Sequence, residues 1–168
     1  PGQPDEIYQQ ERRRAILEAA REKRLGIINV AAFGYHEETV KASEAIDDGK
    51  PREAYLTSRR KLEMDLLSEW NDILCGEGGA AAWMVTVVTK ADLWWIADDD
   101  QPALAHYQAG PYFEALGSAR RIPHDVRPYS SQNQLFYNKG QMSGFYTDEQ
   151  RLADHNRLIA KLLENASR

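Results

Sequence analysis

A single cysteine, Cys75, in 168 residues excludes an internal disulfide and suits a reducing compartment. No apolar run reaches the ~18 residues a membrane-crossing helix needs, and no leader peptide is visible, so a soluble cytoplasmic protein is expected. Positive charge is also short. With 21 Lys and Arg against 26 Asp and Glu the net charge is -5, which argues against nucleic acid or an anionic membrane as partner, because phosphate binding needs a basic surface. Arg12, Arg13, Arg14, Arg21, Lys23 and Arg24 do crowd the first predicted helix, but Glu11, Glu18 and Glu22 are interleaved, so the run reads as a solvated face. There is no internal repeat and no low-complexity tract. The chain starts at Pro1 without methionine, as a processed, tagged or truncated product would.

What is present suits one globular domain over residues 1–168: 42% hydrophobic and 28% charged residues, on a chain long enough to bury a core without staples. Asp5 is placed to cap a helix from about residue 7 to residue 24, with Ile16, Leu17 and Ala20 on one face. "IINVAAFGY", residues 27–35, is a nearly continuous apolar run and predicts a strand covered on both faces, as in a parallel sheet. Residues 36–51 are polar and contain Asp47-Asp48-Gly49, an inserted excursion with at most a short helix.

From about 52 to 74, Leu56, Leu62, Leu66, Leu67, Trp70, Ile73 and Leu74 recur at helical steps. "GEGG", 76–79, ends that helix, and residues 83–88 form the second buried strand. Asp100 and Pro102 open the next helix by N-cap and first-turn preference, and Gly110-Pro111 breaks or kinks it. A weaker third strand lies in 124–131, and a second insertion, a hairpin or loop, in 132–145. Thr147 and Gln150 have capping-box spacing before a last helix with Leu152, Leu158, Ile159, Leu162 and Leu163 toward the core. Alternating helices and strands predict an α/β fold: a three-layer, open, mainly parallel sheet with helices on both faces.

In open α/β sheets ligands sit outside the carboxyl ends of the strands. There the second strand ends in Thr89-Lys90-Ala91-Asp92. "TVVTKAD" resembles the guanine-specificity motif of the Ras-like P-loop GTPases of the translation-factor-related class: Asn or Thr, then Lys, any residue, and Asp after an apolar strand. The resemblance implies that Asp92 accepts two hydrogen bonds, from the guanine ring N–H and the exocyclic amine. Adenine lacks that donor pair, and a carboxylate left unpaired against it costs on the order of 1–3 kcal/mol. By the same likeness Lys90 lays its stem along the base and points its ammonium at the ribose oxygen, while Thr89 ties the loop to its neighbours.

Two further pieces occur in the family's order. "RPYSSQ" follows the third strand, and Ser130 and Ser131 loosely match the motif that offers backbone N–H groups to the guanine carbonyl. "PGQ" at the start resembles the end of an Asp-x-x-Gly motif followed by Gln. Gly2 would then meet a γ-phosphate and Gln3 would orient the attacking water. The likeness covers nearly the whole chain as an order of elements, but about eight residues as motif. It implies GTP or GDP and Mg²⁺ as cofactors, and GTP hydrolysis as a molecular switch.

The departure from the family is large. No Gly-x-x-x-x-Gly-Lys-Ser/Thr loop occurs, so the chain corresponds to the back two-thirds of a G domain, with Mg²⁺ ligands expected outside it. The first strand would keep an unpaired apolar edge, and that edge or the basic helix 7–24 is expected to meet a protein partner or a second copy.

Other constellations read as structural. His36-Glu37-Glu38 sits at the end of the first strand without a second His at ligand spacing, as a surface or capping group. The acids of 97–100 cap a helix, Trp94 and Trp95 pack in the core, and Cys75 has no base to activate it. Two rivals stand beside the GTPase expectation: a nucleotide-independent interaction module that keeps the shell of a G domain, and a flavodoxin-like α/β domain in which TKAD is accidental. The latter predicts a first strand paired on both sides.

Overall fold

The computed structural model describes residues 25–37, 42–75, 81–97, 100–131, 135–138 and 144–167, together with isolated positions between 11 and 22. Gly2, Gln3, Asp5, most of the helix expected over 7–24, and the "GEGG" segment lie outside the described residues. So do the side chains of Trp70, Ile73, Leu74 and Cys75.

Three parallel strands, β1 (Gly26–Ala31), β4 (Trp83–Val88) and β5 (His124–Pro128), form a sheet in the order β1-β4-β5. Between β1 and β4 the chain makes a four-residue helix α1 (Ala42–Ala45), a two-stranded ribbon of β2 (Ile46–Asp47) and β3 (Lys50–Pro51), and the long helix α2 (Glu53–Cys75). Short helices α3 (Ala91–Trp94), α4 (Pro102–Gln108) and α5 (Pro111–Ala115) lie between β4 and β5, and α6 (Asp148–Ala166) closes the chain. The excursion expected over 36–51 thus contains both a short helix and a ribbon. Its turn, Asp48-Gly49, has φ of 46° and 74°, the two left-handed positions a tight two-residue hairpin requires.

β4 reads as a continuous apolar run because it is central. Five of its six residues are buried, against helices on each face. Met84 and Val88 join Ala31 of β1, Val126 of β5, Leu67 of α2 and Tyr107 and Tyr112 of α4 and α5 in the main core. Val85 and Val87 face the other way and meet Leu158 of α6. Strand order that advances in one direction through right-handed crossovers puts both crossover segments on one face and leaves the other to α6. The polar member of β4, Thr86, is fully buried and bonded to His124 Nε2 at 2.8 Å.

The first strand departs from expectation. It ends at Ala31 rather than near Tyr35, and Ile28 and Val30 are 52% and 65% exposed. Both sit beside Val85 and Val87 in register and so share their face, but α6 reaches only the β4–β5 side: Lys161 lies 3.8 Å from Asp125 of β5. On the opposite flank of α6, Leu152, Ile159 and Leu163 stay exposed, and only Leu158 of the five expected core residues is fully buried. Among the described residues β1 pairs on one side only, unlike the doubly paired first strand of a flavodoxin-like sheet. Leu62 and Leu66 of α2 are also exposed, whereas Glu63 between them is buried.

At the start of α6 the Thr147 hydroxyl accepts from the Gln150 N–H at 3.2 Å, half of the expected capping box. The Gln150 amide turns instead to Asp154, at 2.8 Å. Pro102 occupies the first turn of α4, but the cap position belongs to Gln101, whose side chain bonds both the N–H and the C=O of Ile96. No helix of the described residues is long and apolar enough to cross a membrane.

Candidate functional site

The carboxyl ends of β1, β4 and β5 surround a cavity of about 230 Å³ lined by Glu37, Thr89, Lys90, Asp92, Leu93, Tyr129, Ser130 and Ser131. All five residues singled out for base recognition, Thr89, Lys90, Asp92, Ser130 and Ser131, are in that lining. The volume lies below the ~300–1,000 Å³ of pockets that enclose a whole drug-sized ligand, and fits one end of a nucleotide better than all of it.

The loop after β4 is fixed from three directions. Thr89 donates both its N–H and its hydroxyl to Ala31 C=O, each at 2.8 Å, tying the loop to the end of β1. Ala91 N–H donates to Tyr129 C=O at 3.2 Å, tying it to the end of β5. Trp94 returns its indole N–H to Thr89 C=O at 2.8 Å from a buried position, the core role expected for it. Lys90 takes a left-handed backbone, φ 58° and ψ 38°, which costs a non-glycine residue about 1–3 kcal/mol. Such strain persists only where the surroundings over-determine it, and here they do. The ammonium donates to Tyr35 C=O at 2.7 Å, lies 3.6 Å from Glu37 and sits 5.7 Å from the Phe136 ring centre.

Asp92 opens α3 and is 3% exposed. Its Oδ1 accepts from the hydroxyl of Ser130, itself buried, at 2.6 Å. This bond fixes the orientation of the carboxylate at the cavity wall. Asp92 lines the cavity, and the Ser130 hydroxyl supplies one of its hydrogen bonds. Ser131 is exposed at the rim. Gly2 and Gln3, assigned to the phosphate end, lie outside the described residues.

Behind the cavity stands a network that sequence reading missed. Glu63 of α2 is 9% exposed and accepts four donors: the N–H groups of Ala32 and Gly34 at 3.1 and 3.3 Å, His36 Nε2 at 2.6 Å, and the Tyr107 hydroxyl. Burial raises the pKa of its carboxyl, but the bonds from His36, Tyr107 and Ala32 outweigh that and hold it below the usual carboxylate range. Burial and the nearby Glu63 charge push the Tyr107 hydroxyl far up, so it is a donor at any relevant pH. Tyr107 also receives the Phe33 N–H at 2.9 Å.

Glu63 thereby clamps residues 32–36, whose Phe33 and Gly34 both have positive φ. At Gly34 a Cβ would approach Leu56 C=O to 2.4 Å, so only glycine fits where the loop crosses α2. The clamp holds Tyr35 C=O and Glu37 against Lys90. His36 is a partner of Glu63, consistent with its structural reading.

The insertion at 132–145 also reaches the site. Phe136, fully buried, packs with Ala45, Tyr55, Leu56 and Leu93, and the Tyr137 N–H donates to Glu37 Oε1 at 2.9 Å. Phe136 is an anchor, with no sequence signal beyond an aromatic in a polar stretch. A second hollow of about 510 Å³, lined by Phe33, Arg60, Pro102 and His106 among others, is more open to solvent. Among the described residues no group of three His, Cys, Asp or Glu is arranged to hold a metal ion.

Fold and site together define an α/β domain with a parallel sheet and a cavity of mixed polar and apolar lining at the carboxyl ends of its strands. Compared with protein-family models, curated proteins and solved structures, the chain matches none.

Proposed function

We propose that this chain is the base-recognising part of a Ras-like, P-loop-NTPase-type guanine-nucleotide-binding domain, and that its cavity takes the guanine ring of GDP or GTP. The observation that carries the reading is the buried Asp92 carboxylate, oriented by Ser130 and exposed to a cavity whose other polar lining comes from Thr89, Lys90 and Ser131. Guanine presents its ring N–H and amine side by side to one carboxylate. Adenine presents no such pair, so the same carboxylate would lose solvation without compensation. The strand order β1-β4-β5, with the TKAD loop after the central strand and the two serines after the next, agrees with the order the family would require.

Hydrolysis of GTP would need Gly2 and Gln3 at the γ-phosphate and Mg²⁺ held by residues other than those described. Mg²⁺ would supply charge stabilisation of the transferring phosphoryl group. No step is assigned to the described residues beyond binding and orienting the base. Calorimetric titration of the chain with GDP and ADP is the test. Preference for GDP supports the reading, and equal or absent binding of the two removes Asp92 from its role.

One observation favours a second reading. Exposed Ile28 and Val30 on strand β1, which among the described residues pairs on one side, would suit a nucleotide-independent module that holds a protein partner or a second copy at this edge.

A further inference from the structure

The cavity holds a second carboxylate that base recognition does not use. Glu37 lines it, at the end of the β1 exit loop, with its side chain 41% exposed. Its position is set from two sides. Oε1 accepts the Tyr137 N–H at 2.9 Å, from a residue held in a left-handed conformation next to the fully buried Phe136. From the other side, the loop that carries it is clamped through Ala32, Gly34 and His36 by Glu63.

The ion pair with Lys90 does not use up the acceptor capacity of this carboxylate. The Lys90 ammonium already donates to Tyr35 C=O at 2.7 Å, and its 3.6 Å separation from Glu37 is too long for a hydrogen bond. Glu37 therefore retains acceptor capacity at the ammonium end of the lysine, opposite the end where Lys90 joins the base loop. If the stem of Lys90 lies along a purine, the sugar of that nucleoside falls beside the ammonium. A ribose offers two adjacent O–H donors, which match the two oxygens of one carboxylate. The same pairing of an acidic side chain with a ribose 2′-hydroxyl recurs at other nucleotide sites built at strand ends.

We propose that Glu37 reads the ribose hydroxyls, making the ligand a ribonucleotide rather than a deoxyribonucleotide. This rests on the guanine reading of the cavity. Asp92 then selects the base and Glu37 the sugar, from strands β4 and β1 respectively.

The test is calorimetric titration of the full chain with GDP, 2′-deoxy-GDP and ADP, for the native protein and for Glu37→Ala. The native protein should bind GDP about fivefold more tightly than 2′-deoxy-GDP, the worth of one hydroxyl-to-carboxylate bond at a half-exposed site. Glu37→Ala should bring that ratio to about one. A merely structural role for Glu37 would weaken both ligands together and leave the ratio in place, which would overturn the proposal. Equal native affinity for GDP and 2′-deoxy-GDP, with GDP still preferred over ADP, would overturn the sugar reading alone. No preference for GDP over ADP would overturn the base reading and this one with it.

Discussion

The two ends of strand β1 differ in kind. At its carboxyl end the backbone is densely bonded: Ala31 C=O takes two donors from Thr89, the Ala32 and Gly34 N–H groups meet Glu63, and Tyr35 C=O meets Lys90. Along its open flank, Ile28 and Val30 are exposed, and among the described residues no strand pairs that edge. The same strand is thus over-determined where it meets the cavity and under-covered along its side. Dense, satisfied polar networks rigidify a site, whereas an open apolar edge contributes little to the stability of this chain and invites a partner. The difference separates residues that serve the cavity from residues that await a surface.

The largest effect that would break this contrast is at Glu63. Glu63→Ala should destabilise the domain by about 3–5 kcal/mol, because it strands the Ala32 and Gly34 N–H groups and the Tyr107 hydroxyl in a buried place. The midpoint of urea unfolding reads this directly. Phe136→Ala comes next, at about 3–4 kcal/mol from lost burial and the cavity left behind, with looser nucleotide binding because Glu37 and Lys90 both lean on that segment. An unchanged urea midpoint in either variant would mean that the cavity end is not the over-determined one.

Acid sharpens the same point. Glu63 has a depressed carboxyl pKa, so its stabilisation is present above the unfolded carboxylate value near ~4.3 and disappears as pH falls through the lower folded value. Burial also depresses the pKa of His106 and His124, so the unfolded chain takes up their protons first and stability begins to fall below about pH 6.5. Unfolding free energy measured from pH 7 to pH 3 should decline in these two stages, and Glu63→Gln should remove most of the lower one. At the open flank the expected effect is smallest. Ile28→Lys or Val30→Lys should change stability by no more than about 0.5 kcal/mol while lowering any self-association seen by light scattering.

Much of the cavity was legible because the part formed by the loop after β4 is local. Thr89, Lys90 and Asp92 follow an unmistakably buried strand, and strand ends in an open α/β sheet are where ligands bind. Ser130 and Ser131 were legible from order alone. Glu37 was not, since the exit loop of β1 brings it in through space and no spacing advertises it. Glu63 was hidden for a different reason: a charge in an amphipathic helix reads as solvent-facing, and only the four donors around it make burial tolerable.

The same blindness to context explains α6 and α2. Periodicity marked Leu152, Ile159 and Leu163, and Leu62 and Leu66, as core, but among the described residues no element covers those faces. In β1, alternating exposure replaced the two-sided burial that composition suggested. Residue type records what a segment could bury, and the neighbouring elements decide how much of it is buried.

The most direct measurement exploits the donor pattern at Asp92. Xanthine replaces the exocyclic amine of guanine with a carbonyl, which an Asn amide can meet as donor while its oxygen still accepts the ring N–H. Titration of the native protein and of Asp92→Asn with GDP and xanthosine diphosphate should show GDP preferred by the first and the preference inverted in the second, each by about tenfold or more. A substitution that leaves the ratio of the two ligands unchanged would contradict the assignment of this cavity to guanine.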